Sequence, residues 1–458
     1  MARFQRLALS AASCMVLLAA QQATAAPPAT NYVDGQCVTT YDATVDYFPE
    51  KLNTNGDDAQ YFKIDYHNNY KLVTDQRNQQ TYALVQCGTP NPTNLPNGTE
   101  IYQVPVTNAA VLETTVVPYL EMLGVADTVR VVADGSMVTS PCFQKYQQDS
   151  ANNVTELSAT NTTLAASQLD TVPIQFGANP YSSSSSNSNE TVTDATVYEP
   201  DVLGRVSWIG YYAAFYNLEG LANQVLSNIT TNYNNLVKAA SGYSENEKPL
   251  VAWTTYNAPD QYNNNTASWT VSTANYKAQL TQDAGGRLFN SSTSSWSSAA
   301  AFLEAITDVD IMIDETYIAT TLDDVLKNYQ INSSSSFKFV QNNAIFREDG
   351  ILTQSGGYGW FAEAVTMADA LLEDMVNVVN PSAPSSDYQR HWLRNVAKGE
   401  SIAYSTPTNC TWDETQPRPN LAVQVDADTT FQMSSSVSLT ASSTLAAALL
   451  SAAAVLLM

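Results

Sequence analysis

The longest periodic apolar pattern in the chain runs through residues 199–241, where large side chains recur every three or four positions. This spacing is the helical period, and Pro200 suits a first turn because its missing N–H costs nothing there. Roughly 37 helical residues at about 1.5 Å each would span about 55 Å, more than the width of an ordinary domain. The pattern predicts one rigid helix that joins two bodies, and a long core helix within a single domain is the alternative.

Strand-like and helix-like runs alternate on both sides of this stretch. Strand-like runs precede it at residues 101–106, 109–112, 129–133 and 171–176. Further runs follow it at residues 249–253, 309–313, 337–340 and 344–346, and the pattern at 361–379 predicts an amphipathic helix. Such alternation is typical of parallel sheets covered by helices. We predict an α/β fold with two lobes of mainly parallel sheets, one joining helix and a ligand cleft between the lobes.

Ahead of the first lobe, alternating runs at residues 61–66, 70–74 and 81–86 predict a small antiparallel sheet. A serine-rich run at residues 181–189 predicts a disordered insertion. A mature chain of roughly 400 residues exceeds the size of one core, which also favours two lobes. The predicted division is a signal peptide at 1–25, a leader with the small sheet at 26–100, the first lobe at 101–198, the joining helix at 199–241, the second lobe at 242–425, and a linker with an anchor signal at 426–458.

Both ends of the chain carry targeting patterns. Arg3 and Arg6 precede an apolar run that is too short to span a bilayer, and small residues follow it, which predicts a secretory signal peptide. At the other end, small residues around Ser434 precede a mild spacer and an uncharged apolar tail, which predicts a GPI-anchor signal and a eukaryotic protein. A C-terminal membrane helix is the alternative, and the lack of flanking Lys or Arg favours the anchor. We therefore expect a protein anchored at the outer face of the cell membrane.

Cysteines and sequons fit a secreted chain. Four cysteines remain once Cys14 leaves with the signal peptide, and four cysteines allow three pairings. Because Cys37 and Cys87 both flank the small sheet, we predict the disulfides Cys37–Cys87 and Cys142–Cys410. Nine N-x-[ST] sequons predict a glycosylated surface, at Asn97, Asn153, Asn161, Asn189, Asn228, Asn264, Asn290, Asn332 and Asn409.

Composition excludes several classes of function. The formal net charge of −24 disfavours nucleic-acid binding. His67 and His391 are the only histidines, so a Ser-His-Asp, Cys-His or two-histidine metal site has little to build from. The chain has no G-x-S-x-G elbow, and its glycine run at 356–360 lacks the ending of a phosphate-binding loop. We predict no catalytic residue and no metal site, and the sequence identifies no cofactor.

Candidate ligand contacts come from the residues at strand ends, because open α/β sheets bind ligands beyond the carboxyl ends of their strands. Aromatic rings there can stack on a flat ligand, and an arginine can pair with an anionic group. The predicted ligand-binding residues are Glu113, Thr115, Ser136, Trp253, Tyr256, Glu315, Tyr317 and Arg347. Each has a structural alternative, which is helix capping for the polar residues, core packing for the aromatic ones and an ion pair with Glu348 or Asp349 for Arg347.

Several stretches resemble a known family. Residues 104–142 resemble the first lobe of periplasmic binding proteins of the helical-backbone class, which serve iron-siderophore, haem, cobalamin and metal uptake. Residues 199–222 resemble the start of that family's lobe-joining helix. Second-lobe segments of the family are similar to residues 281–289, 302–317 and 359–381. The resemblance covers roughly residues 101–381. Together with the predicted anchor signal, it indicates a GPI-anchored eukaryotic form of the family.

The resemblance implies a ligand held between two lobes with little lobe movement, and its transfer to a membrane permease. The family's metal-binding branch uses histidine ligands, so their scarcity here favours a complexed ligand such as a ferric chelate. We predict a non-enzymatic extracellular solute-binding protein for a small ligand, above all a ferric-siderophore or related metal complex, with a membrane transporter or reductase as its partner. The alternatives are a structural or adhesion glycoprotein on a degenerate fold, and a cell-wall hydrolase built from Glu113 with Asp314 or Glu315.

Overall fold

The computed structural model describes residues 37–53, 59–178, 191–317 and 319–433. The predicted signal peptide, the serine run with Asn189, and the predicted anchor signal with Ser434 lie outside these residues. Within the described ranges, no helix combines the length and the apolar character that a membrane crossing requires.

The folded part opens with a four-stranded sheet in the order β1-β2-β3-β4, formed by Phe62–Tyr66, Tyr70–Asp75, Gln80–Gln86 and Glu100–Val104. The pairs β1–β2 and β2–β3 are antiparallel, whereas β4 runs parallel to β3. The sequence pattern assigns residues 101–106 to the first lobe, but the structure places residues 101–104 in the edge strand of this small sheet. The reason is burial, because Val104 is packed in the core cluster that also contains Leu84 of this sheet and Phe215 of the predicted joining stretch.

The first lobe is a wholly parallel five-stranded sheet in the order β7-β6-β5-β8-β9. Its central strands carry buried apolar side chains on both faces, which is why they read as continuous apolar runs. Its elements are β5 (Ala109–Val111), α1 (Val116–Met122), β6 (Val129–Val132), α2 (Pro141–Gln148), β7 (Thr155–Glu156), α3 (Thr162–Leu169), β8 (Gln175–Phe176) and β9 (Thr191–Val192).

Two helices, and not one, join the lobes. They are α4 (Val202–Tyr216) and α5 (Glu219–Ala240), and α4 ends at Asn217, whose φ of 59° is left-handed. Lys71 of the small sheet explains the break, because its buried Nζ donates to Asn217 Oδ1 at 2.8 Å and to Glu219 Oε1 at 2.7 Å. Nζ also donates to the Ala214 carbonyl, one of the unpaired carbonyls at the end of α4. The prediction of one continuous helix is therefore wrong, although both helices lie within the predicted stretch.

The second lobe is a seven-stranded sheet in the order β13-β11-β10-β14-β15-β17, with β12 also paired to β10. The central pairs β10–β14 and β14–β15 are parallel, and the outer strands β11, β13 and β17 are antiparallel to their neighbours. The elements are β10 (Leu250–Asn257), β11 (Ser268–Val271), α6 (Asn275–Asp283), β12 (Arg287–Leu288), β13 (Ser295–Trp296), α7 (Ala299–Ala305), β14 (Ile311–Asp314), α8 (Leu322–Asn328), α9 (Lys338–Gln341), β15 (Ile345–Arg347), β16 (Ile351–Leu352), α10 (Gly359–Ala362), α11 (Ala368–Val379), β17 (Arg394–Asn395) and β18 (Ala403–Tyr404).

Two elements of this lobe differ from the sequence pattern. Residues 337–340 are predicted as a strand, but most of that run is helix α9, since a short apolar run has no period that separates strand from helix. Residues 361–379 are predicted as one helix, but a 3₁₀ turn at Ala364–Thr366 separates α10 from α11. Together the two lobes confirm the predicted α/β class with mainly parallel central strands.

Both predicted disulfides are confirmed. Cys37–Cys87 ties the leader to the end of β3, and Cys142–Cys410 ties α2 of the first lobe to a segment that follows β17. That segment, residues 403–433, is called the strap below. It begins in the second lobe, where β18 pairs with β16, and then returns to the first lobe and to α5. The predicted second-lobe boundary at residue 425 therefore does not follow the structure.

Arg418 is the central side chain of the strap. It donates to Glu121 of α1 at 3.0 Å and to Glu363 of the second lobe at 2.5 Å, and all three side chains are at most 3% exposed. Burial raises the pKa of Glu121 against the opposing effect of Arg418, and it raises the pKa of the neighbouring Glu414 to about 9. One buried cation thus links both lobes through the strap.

Candidate functional site

The first-lobe candidates lie at the carboxyl ends of β5 and β6. Burial, with a further effect from the charge of Asp194, raises the pKa of Glu113 to about 7. Thr115 stands just before α1, and its buried hydroxyl has no hydrogen-bond partner among the described residues. Ser136 follows β6 and donates to Asp134 Oδ1 at 2.7 Å. These three residues occupy the edge of the sheet at which a ligand is expected.

Trp253 and Arg347 do not face a cleft. Trp253 is 1% exposed, and its indole N–H donates to Thr281 Oγ1 at 3.0 Å. Arg347 is also 1% exposed, and its guanidinium pairs with Asp314 and Asp349 inside the second lobe. The prediction that these two side chains contact a ligand is therefore corrected. A strand end fixes the position of a residue, but the pleat sends successive side chains to opposite faces.

The remaining second-lobe candidates are divided between core and surface. Tyr256 packs on Trp269, with ring centroids 5.3 Å apart, at the edge of the second-lobe core. Glu315 forms an ion pair with Lys277, and both side chains are largely buried. Tyr317 is 65% exposed. Of these three, Tyr317 alone presents most of its ring to solvent.

A cavity of about 250 Å³ lies where the two lobes meet on α4. The first lobe contributes Thr115, α4 contributes Arg205, and the second lobe contributes Tyr276, Trp360 and Phe361. The rest of the wall is apolar and is formed by Val197, Val202, Ala364, Val365 and Leu371. Of the eight predicted ligand residues, Thr115 alone lines this cavity.

Arg205 is the one charged residue among those that the structure describes in the cavity wall. Its Nε donates to the Glu199 carbonyl at 3.1 Å and its Nη2 to the Val197 carbonyl at 2.9 Å. Its guanidinium carbon lies 3.7 Å from the centroid of the Tyr276 ring, so the plane of the group is fixed. A fixed guanidinium suits a carboxylate or another flat anion. The sequence held a signal for this residue, because Arg205 is the only charged residue in α4.

Buried charges stand behind the aromatic wall of the cavity. Trp360 packs on Trp253 with ring centroids 5.6 Å apart, and Lys277 Nζ lies 5.1 Å from the Trp253 ring. Burial lowers the pKa of Lys277 to about 8 and raises that of Glu348 to about 7, while the attraction between the two opposes both shifts. With Glu315 also paired to Lys277, these groups hold the wall in place from the inside.

The carboxylates named for the hydrolase alternative do not form an open pair. Asp314 is buried against Arg347 and Tyr329, and Glu315 is paired with Lys277, so neither faces Glu113 as an open carboxylate. Among the residues that the structure describes, no group of three or more His, Cys, Asp or Glu is placed to hold a metal ion.

The glycine run at 356–360 brings the second lobe onto the first. A Cβ on Gly357 would collide with the backbone of Met137, so only glycine permits this approach. A second cavity, with polar walls, lies beside Ser136.

No protein-family model matches the chain. No curated protein matches it either. Among solved structures, an ABC transporter substrate-binding protein from Listeria monocytogenes EGD-e is 14% identical, with a TM-score of 0.41 over 60% of this chain and 98% of that one. A periplasmic heme binding protein from Pseudomonas aeruginosa is 12% identical, with a TM-score of 0.42 over 63% and 97% of the two chains. A possible iron-binding (periplasmic solute-binding) protein from Staphylococcus epidermidis ATCC 12228 is 12% identical, with a TM-score of 0.43 over 60% and 99%. Similarities with identities and TM-scores this low identify neither a family nor a ligand for this chain.

Proposed function

We propose that this chain captures a small ligand outside the cell and that the cavity at Arg205 is the ligand site. The observation that carries the proposal is a single cation, fixed on the Tyr276 ring, in a cavity whose other walls are mainly apolar. Small-molecule sites usually have this form, with apolar walls and a few fixed polar groups that orient the ligand.

The walls favour a ligand with an apolar body and an acidic group. The acid would pair with Arg205, and the hydroxyl of Thr115 offers a second polar contact. The net charge of −24 repels anions at long range, so the attraction has to come from Arg205 itself. The volume of about 250 Å³ is slightly below the roughly 300–1,000 Å³ of typical ligand sites. The cavity therefore admits a small molecule or one arm of a larger one.

A larger ligand would extend over exposed aromatic rings beside the cavity. Phe361 is 53% exposed and Tyr317 is 65% exposed, and Tyr358 lies between them with ring centroids at 5.6 and 6.0 Å. Aromatic faces stack on flat groups such as haem or catecholate rings. A ferric complex with one apolar, acidic arm meets both requirements, and it is the ligand class that we propose.

The site is expected to be preformed. The strap holds the lobes together through Cys142–Cys410 and through Arg418, which leaves little freedom for closure around a ligand. Binding to a preformed site costs less conformational entropy. We therefore expect the affinity to depend on wall residues and not on lobe movement.

Titration calorimetry of the secreted ectodomain tests the proposal with ferric siderophores, haem, cobalamin and ferric citrate. Phe361→Ala is expected to weaken binding of the active ligand by about 1–3 kcal/mol, because an aromatic contact is lost. Tyr262→Ala is the matched control, since Tyr262 is an 88% exposed aromatic residue outside the cavity wall. The proposal fails if no ligand gives heat or a thermal shift, or if both variants weaken binding equally.

A structural or adhesion glycoprotein is the second candidate. It is favoured by the small volume of the cavity and by the sequons, since the asparagines of all eight sequons in the described residues are exposed. Failure of every ligand in the titration, together with no ligand in protein purified from its source, would select this function.

We also propose that a GPI anchor at Ser434 holds the protein at the cell surface. A membrane transporter or reductase at that surface would receive the ligand. The support is the sequence pattern of the last 25 residues, which carry no charge. Phosphatidylinositol-specific phospholipase should release the protein from intact cells. Retention of this protein while a known GPI-anchored protein is released would contradict the anchor.

A further inference from the structure

The second cavity between the lobes, of about 410 Å³, has walls of a different chemistry. Its lining includes hydroxyls and carboxamides from both lobes and the strap, among them Ser136, Gln144, Gln147, Ser355 and Ser405. Among the described residues of the wall, Glu156 is the only charged one and none is aromatic. Neutral donors and acceptors without a cation suit a neutral polyhydroxylated ligand, and the volume lies within the usual range of ligand sites.

Several of these polar groups are held in place. Gln144 Nε2 donates to the Val138 carbonyl at 2.8 Å, and Ser405 Oγ donates to the Thr139 carbonyl. The carboxamide of Gln147 packs directly against Gly135. The cavity is therefore a built polar surface and not a chance gap between the lobes.

Asn409, the sequon asparagine of the strap, is hydrogen-bonded to a residue of the cavity wall. Its Oδ1 accepts hydrogen bonds from the Thr406 backbone N–H at 3.0 Å and from Thr406 Oγ1 at 2.8 Å, and Thr406 lines the cavity. Nδ2, which carries the sugar in an N-glycan, belongs to the same carboxamide. The next residue, Cys410, is bonded to Cys142 of α2, the helix that supplies three of the lining carboxamides. The attachment point is thus fixed beside the wall.

We propose that an N-glycan on Asn409 docks into this cavity, where the hydroxyls and carboxamides of both lobes bind its first sugar residues. A sugar tethered beside the wall has a high effective concentration, and a fixed attachment point lowers the entropic cost of docking. The glycan would then contact the first lobe, the second lobe and the strap at once. This site is separate from the cavity at Arg205, so either proposal can fail without the other.

Native-state glycan release tests the docking. The full ectodomain is secreted from a eukaryotic host, and glycopeptide mass spectrometry follows its digestion with peptide-N-glycosidase. The glycan on Asn290, an exposed residue outside the wall, is the internal control. We expect release from Asn409 to be at least about tenfold slower than from Asn290 in folded protein, and equal after denaturation. Equal rates in the folded protein, or no glycan on Asn409, would overturn the proposal.

One variant tests whether the cavity causes the protection. Ser355→Trp fills the cavity from an exposed position and leaves Asn409 intact, so it should bring the Asn409 rate close to the Asn290 rate. Slow release that persists in this variant would show that the cavity does not hold the glycan.

Hydrogen exchange identifies the source of the sugar. Protection of residues 135–137 should be lost in Thr411→Ala, which removes the sequon but keeps the Asn409 side chain. It should persist in Thr155→Ala, which removes the sequon of Asn153 near Glu156. Loss in Thr155→Ala alone would assign the cavity to the other glycan and refute the proposal.

Discussion

Replacing Arg418 by Met removes the buried cation between Glu121 of the first lobe and Glu363 of the second. The methionine keeps much of the apolar length of the side chain, which packs beside Trp412 with the guanidinium carbon 4.7 Å from the ring centroid. The perturbation therefore removes charge more than volume. Two carboxylates that are at most 3% exposed are left without their cation.

The magnitude follows from the cost of an unpaired buried charge. Removing one partner of such a pair costs about 3–5 kcal/mol. Protonation limits this cost, because the carboxylate can take up a proton and become neutral. For a carboxyl with an unfolded pKa of about 4.3, the free energy of protonation is about 3.7 kcal/mol at pH 7 and about 1 kcal/mol at pH 5. We expect Arg418→Met to lose about 3–5 kcal/mol of unfolding free energy at pH 7 and at least about 2 kcal/mol less at pH 5.

Urea denaturation of the disulfide-bonded ectodomain at both pH values, followed by tryptophan fluorescence, measures this difference. Arg287→Met is the control, because Arg287 is exposed and should lose less than about 0.5 kcal/mol. A loss below about 1 kcal/mol at pH 7, or the same loss at both pH values, would refute the description of Arg418 as the buried link between the lobes.

Three further predictions concern groups inside the fold. Burial raises the pKa of Glu373 to about 8, so the folded state binds the Glu373 proton more tightly than the unfolded state does. The stability that this proton contributes is lost as pH rises from about 4.5 to 8. Glu373→Gln should therefore flatten the fall of the urea midpoint between pH 6 and 8.5. Asn217→Ala should cost roughly 2–4 kcal/mol in denaturation experiments, from its left-handed φ and from the lost bond to Lys71, whereas Asn217→Gly should cost less. Trp253→Ala should lower stability by about 3–5 kcal/mol but change ligand affinity in calorimetry less than Phe361→Ala, since Trp253 lies behind the wall.

The α/β class was predictable because it depends on local patterns, and the disulfides were predictable because pairing Cys37 with Cys87 leaves Cys142 and Cys410. Strands buried on both faces leave continuous apolar runs, and Cys37 and Cys87 flank one small sheet in the sequence. The break at Asn217 was not predictable in the same way, because Lys71, which stabilises it, lies 146 residues earlier. A period counted along one helix contains no information about such a partner.

The site was predicted less well for a related reason. The strand-end rule identified Thr115, but it also selected Trp253 and Arg347, whose side chains point into the second lobe. It missed Arg205 and Tyr276, which come from helices α4 and α6. The way the lobes meet decides which side chains share a cavity. Contacts between residues far apart in the sequence set this arrangement of the lobes.

The Cys142–Cys410 bond has a consequence for the survival of the protein among extracellular proteases. It closes a loop with a sequence separation of 268 residues, which contains the joining helices and most of the second lobe. A protease that cuts an exposed turn in this loop, such as residues 260–262, leaves two fragments that remain joined through sulfur. Nicked molecules would separate only after reduction, and the cut would not shed the first lobe from the proposed anchor.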